Sequence, residues 1–167
     1  MMDAIGQRPV WLAASTHDGE DQAVIDAHRA LAGRHPNLLT IIVPRHPARG
    51  PSIEALAASA GLRVALRSAA PAIRPDTEIY IADTVGELGL FYRLSPVAFI
   101  GGTLIPHGGQ NLLEAAKLGS AVIHGPHMTN FTEIADEMRI AGATETIEDS
   151  AGLAPALARL LDDPALH

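Results

Sequence analysis

A doubly wound α/β domain with a parallel sheet is the fold class this sequence predicts, on three observations. Short β-type apolar runs alternate with segments of helical spacing along the whole chain, and that repetition makes parallel strands joined by crossover helices. Runs such as LLTIIV at 38–43 and AVIH at 121–124 lack polar alternation, as strands covered on both faces should. Polar or glycine-bearing turns follow one strand after another, which sets them along one edge of the sheet. With 167 residues, 47% hydrophobic and 19% charged, the chain suits a single domain over 1–167. No internal repeat, low-complexity tract or linker divides it.

The first strand is Val10–Ala14, followed by a helix with Ala23, Val24, Ala27 and Leu31 on one face. The second strand is Leu38–Val43, and Ile53, Leu56, Ala57 and Ala60 then mark a helix that Gly61 stops. Arg63–Leu66 is the third strand. Arg67–Asp76 holds two prolines and no period, which predicts an exposed irregular connection. Beyond it come strand Glu78–Ala82, helix Glu87–Leu94, strand Val97–Ile100, helix Leu112–Leu118 and strand Ala121–His124. Helix Phe131–Ile140, a weakly marked strand Thr144–Ile147 and helix Leu153–Leu161 complete the pattern.

Charge and composition exclude several functions. Twelve basic and nineteen acidic side chains leave a net charge of −7, and eleven of the twelve basic residues are Arg, with Lys117 the one lysine. No polybasic run is present to grip nucleic acid or anionic lipid. The absence of cysteine removes disulfides, thiolate catalysis and Cys-ligated zinc. MMDAIGQRP has neither a basic n-region nor an apolar h-region, and no stretch approaches the length of a membrane span, so a soluble, unprocessed segment is expected.

Five of the seven candidate strands end in turns that could carry chemistry: Ser15–Glu20, Pro44–Pro47, Asp83–Leu88, Gly101–Thr103 with Pro106–Glu114, and Gly125–Asn130. In an open parallel sheet this edge is where ligands bind. Gly108 and Gly109 let backbone approach a ligand, and a helix starting near Asn111 aims free N–H groups at a phosphate. Glu114, in the first turn of that helix, suits a ribose diol. Arg45, held between two prolines, offers a rigid fork to phosphate, and Gly86-Glu87-Leu88 opens a second helix with free donors. Together these describe a nucleotide pocket without a P-loop, since GxxxxGK[ST] is absent.

SxHxGE at 15–20, PRHP at 44–47, DTxGEL at 83–88, FIGGT at 99–103, GGxNxLE at 108–114 and GPHxxNF at 125–131 resemble the C-terminal half of the Kdo transferases, which add 3-deoxy-D-manno-oct-2-ulosonic acid (Kdo) to lipid A precursor. The resemblance covers nearly the whole chain. It implies a Rossmann-like half of a GT-B glycosyltransferase that takes CMP-Kdo as donor and inverts the anomeric centre. It also implies CMP contacts from Pro44 and Arg45, from Val85, Gly86 and Glu87, and from Asn111, Leu112, Leu113 and Glu114. The family usually has His at Gln110, Pro at Leu112 and often Met at Val85. Backbone contacts survive those changes, whereas a side-chain role of the family histidine does not, so Gln110 is left out of the site. The family's general base and membrane-anchoring segment belong to an N-terminal acceptor domain. No catalytic residue is therefore expected in this chain, which should bind donor without transferring sugar. The full-length enzyme is expected at the cytoplasmic face of the inner membrane, with lipid A precursor reached through that other domain.

Each feature also has a plainer explanation. Gly101, Gly102 and Gly125 suit any strand-to-helix turn, Arg45 could serve a surface ion pair, and Glu114 could simply favour a helix start. Asp18 and Glu20 are expected to cap the first helix. His17, His46, His107 and His127 come from four separate turns without a metal motif, so neither a metal nor another cofactor is expected. His28, His35 and His167 read as solvated. The alternatives to a transferase domain are a non-catalytic nucleotide-binding module and a UDP-sugar enzyme, an epimerase or transferase, with the same half-fold.

Overall fold

A computed structural model describes residues 5–69, 72–163 and 165. Strands are β1 (Val10–Thr16), β2 (Leu39–Pro44), β3 (Val64–Leu66), β4 (Ile79–Ile81), β5 (Val97–Ile100), β6 (Ala121–His124) and β7 (Thr144–Thr146). Helices are α1 (Asp21–Ala32), α2 (Gly50–Ser59), α3 (Leu88–Leu94), α4 (Leu113–Lys117), α5 (Thr132–Ile140) and α6 (Leu153–Asp162). One sheet of seven strands runs in the order β3-β4-β2-β1-β5-β6-β7, and every pairing is parallel. The expected doubly wound α/β architecture is what the chain adopts, a Rossmann-like half of a GT-B fold.

Period-two alternation splits the strand residues between two cores. Val10, Leu12 and Ala14 of β1 join Leu39, Ile41, Ala98 and Ile100 beneath α3, α4 and α5. Trp11 and Ala13 join Ile42, Ile79 and Phe99 beneath α1, α2 and α6. Trp11, Leu12, Ile41, Ile42 and Phe99 are wholly buried. At ~25 cal/mol per Å² of apolar surface, two such cores supply most of the drive to fold.

The order of strand addition reverses between β1 and β5, which pair side by side although Leu12 and its partner Ala98 lie 86 residues apart in sequence. That pair is the topological switch point, where ligands settle in doubly wound folds.

Two expectations change. His28 is buried, with Nδ1 2.8 Å from Thr40 Oγ1, and His35, just past α1, has Nε2 3.2 Å from Asp162 Oδ1 at the end of α6, so both histidines face protein. His167 lies outside the described residues. The connection at Arg67–Asp76 is irregular as expected over its described part, Ala70 and Pro71 lying outside it, yet Ile73 is buried. No helix among the described residues is long and apolar enough to cross a membrane.

Candidate functional site

At the switch point β1 ends in an irregularity. Its register against β2 shifts between Ala14 and Thr16, and Ser15 between them has φ 56°, uncommon for a residue with a Cβ. Gly101 seats against this bend. A Cβ on Gly101 would come within 2.5 Å of the Ser15 carbonyl oxygen, so only glycine lets the ends of β1 and β5 meet. Gly125 is required in the same way, since its Cβ would come within 2.3 Å of the Thr103 carbonyl oxygen.

Glu20 closes the junction. Its wholly buried carboxylate accepts from the backbone N–H of His17 (2.9 Å), Gly102 (2.7 Å), Thr103 (3.1 Å) and Leu104 (3.1 Å). This corrects the capping expectation: Glu20 occupies the N-cap position of α1 but its side chain makes no cap bond. It tethers the loop after β5 to the loop after β1.

Three of the four turn histidines converge above this tether. The His17 and His107 rings lie 3.9 Å apart between centroids, and His46 meets His17 edge-on at 6.2 Å. Gln110 Nε2 is 3.4 Å from His17 Nε2. Burial first, then the His107 ring, holds the His17 pKa below its ordinary value. Each of these turns follows a strand in the adjacent series β2-β1-β5, so the positions were visible in the sequence while their adjacency was not. Among the described residues no group of three or more His, Asp or Glu is arranged to hold a metal.

The nine expected contact residues occupy three places. Pro44 is buried at the end of β2, and the Arg45 N–H donates to the Thr16 carbonyl at 3.0 Å while its side chain stays exposed. No ion pair engages that guanidinium among the described residues. Val85 is 85% exposed and Gly86 has φ 84°. The Glu87 carboxylate accepts from Arg67 at 2.6 Å and 2.5 Å and from the Thr84 hydroxyl. Those bonds hold its pKa near about 2 and leave only its backbone for a ligand. Asn111 Oδ1 accepts from Leu113 N–H at 3.0 Å, Leu112 is buried, Leu113 is half-buried and Glu114 is exposed.

The last of these places lines a groove, with Asn111, Leu113 and Glu114 in its wall. Gly89, in the first turn of α3, faces Glu114, whose Oε1 would lie 3.8 Å from a Cβ there, and a cavity of about 490 Å³ runs between them past Asn111 and Lys117. Arg45 is not part of this lining; its neighbour His46 meets His17, which in turn meets Gln110 beside Asn111. A cavity of about 610 Å³ lies at the opposite edge, at the starts of β6 and β7, and shares none of the nine residues.

Two details differ from expectation. With five residues α4 is short, and Asn111 already takes the Leu113 N–H, so its positive end is weaker than supposed. Gly108 and Gly109 serve the neighbouring loop, because Cβ atoms there would meet Asn130 at 2.4 Å and Met128 at 2.5 Å.

No family model matches the chain. The C-terminal CMP-Kdo binding domain of WaaA from Acinetobacter baumannii superposes with a TM-score of 0.92 at 34% identity, over 97% of this chain and 85% of that one. The chain belongs to the Kdo transferase family. Curated Kdo transferases from Haemophilus influenzae and Bordetella pertussis are 43% and 38% identical over 76% and 95% of the chain. The chain spans about a third of their length, 30% and 38% respectively. Within this Kdo transferase domain the glycines at 101 and 125 are packing requirements, and Arg45, His46, His107 and Glu114 are exposed while His17 is buried.

Proposed function

We propose that this domain binds CMP-Kdo and is the donor half of an enzyme that transfers Kdo, with inversion, to lipid A precursor (lipid IVA). The likeness to a CMP-Kdo binding domain at 34% identity and a TM-score of 0.92 carries the reading. Arg45 donates to the phosphate, the backbone from Val85 to Glu87 lines the nucleotide, and Asn111 to Glu114 take the ribose, with Pro44, Leu112 and Leu113 shaping the pocket. An acceptor hydroxyl attacks the anomeric carbon, the bond from that carbon to the phosphate oxygen breaks, and CMP leaves with the bonding pair. Arg45 stabilises that departing charge. The base that takes the hydroxyl proton, and the inner-membrane placement, are assigned to the part of the relatives that this chain does not match. The reading gives no role to a metal or cofactor.

Calorimetry with CMP, UMP and UDP tests the donor assignment. CMP should bind best and EDTA should leave its affinity unchanged; preference for UDP would favour a UDP-sugar enzyme, and indifference to the base a nucleotide-binding module. Incubated with CMP-Kdo and lipid IVA, this chain should transfer no Kdo. Transfer would place the base within it.

A further inference from the structure

The switch point gathers more potential cations than nucleotide binding uses. His46 and His107 are exposed, and His17 lies against His107 at a tilt of 36°, beside Gln110. The nearby acids are already engaged. Glu20 gives both oxygens to four backbone N–H groups, and Asp21 pairs with Arg49, which also donates to the Thr16 carbonyl at 2.9 Å. Three imidazoles thus lie together while Glu20 and Asp21 are held by other partners.

We propose that His17, His46 and His107 form the subsite for the carboxylate of the donor sugar, with Gln110 fixing the orientation of the His17 ring. The inference rests on the donor reading above. His46 follows Arg45 and Gln110 precedes Asn111, so the cluster lies between the residue given to phosphate and the segment given to ribose. A glycosyl phosphate of a 2-ulosonic acid carries its carboxylate on the same carbon as the phosphate ester. That carboxylate must therefore be met immediately beside the phosphate, where the imidazoles stand.

The groups facing His17 set the sign of the pH response. Burial, His107, His46 and Arg49 disfavour its protonation, and Glu20 alone favours it. A carboxylate arriving among the rings favours the charged form, so binding takes up protons and tightens as pH falls through the imidazole range.

The test is titration calorimetry at pH 7.5 and 6.0 with CMP-Kdo and with CMP methyl ester, which has the same phosphodiester charge and no carboxylate. In the wild type, the ratio of CMP-Kdo to methyl-ester affinity should rise about tenfold on acidification, the effect of one pKa unit. In His107→Gln, and in His46→Gln/His107→Gln, the rise should fall below about twofold; both positions are exposed, so folding is spared. A ratio flat with pH in the wild type, or an undiminished rise in the variants, overturns the subsite while leaving CMP binding in place. Failure of both ligands to bind removes the donor reading and this inference with it.

Discussion

Glu20 Oε2 accepts the Gly102 N–H at 2.7 Å, joining residues 82 apart in sequence across the topological switch point. The same carboxylate holds three further N–H groups. Glu20→Ala strands these buried donors, each costing about 1–3 kcal/mol when unpaired. The variant should lose at least about 3 kcal/mol in urea unfolding, and Glu20→Gln, which keeps one acceptor oxygen, should lose less. A loss under about 1 kcal/mol for Glu20→Ala would show that water replaces the carboxylate and that the tether is not structural.

Acid should weaken the fold through His28. Burial, chiefly, holds its pKa below the ordinary value, so the unfolded chain binds this proton more readily than the folded one. Stability is then full above about 6.5, the unfolded value, and declines as pH drops below it. His124 shifts in the same direction for the same reason. Urea midpoints at pH 7.5 and 5.5 should show the decline, with a shallower one in His28→Asn. Equal slopes in the two proteins would rule out His28 as the source.

Arg45→Ala should weaken CMP by about 1.5–3 kcal/mol, the range for hydrogen bonds to charged groups. Cytidine, lacking the phosphate, should bind nearly as before. Because the side chain is exposed and unpaired among the described residues, stability should hold. Equal losses for CMP and cytidine in calorimetry would mean that Arg45 shapes the pocket and does not grip phosphate.

Glu114 is assigned to the ribose diol, so CMP affinity should fall in the order wild type, Glu114→Gln, Glu114→Ala. Its exposure and its place beside Gly89 leave the carboxylate free to reach a ligand in the groove. With 2′,3′-dideoxy-CMP the differences should vanish. A gap above about 1 kcal/mol that persists with this ligand would trace the loss to the start of α4, an effect of helix-capping size.

Hydrophobic pattern alone marked the seven strands and six helices named above among the described residues, because period two and period 3.6 are local properties of the chain. Boundaries moved little: β5 and β6 fall where their apolar runs do, and β1 continues to Thr16 beyond its expected end at Ala14. The edge that carries the candidate site was legible too, since five of the seven strands end in polar or glycine-bearing turns. Strand order was decided only in three dimensions, by which faces could be buried together. That order brought β5 beside β1, and with it Glu20 to Gly102 and His107 to His17. The same distant packing buried His28, which its own helix would have left to solvent, and gave the Glu87 side chain to Arg67. A carboxylate or an imidazole takes its role from the partners that folding supplies, and those partners here lie tens of residues away.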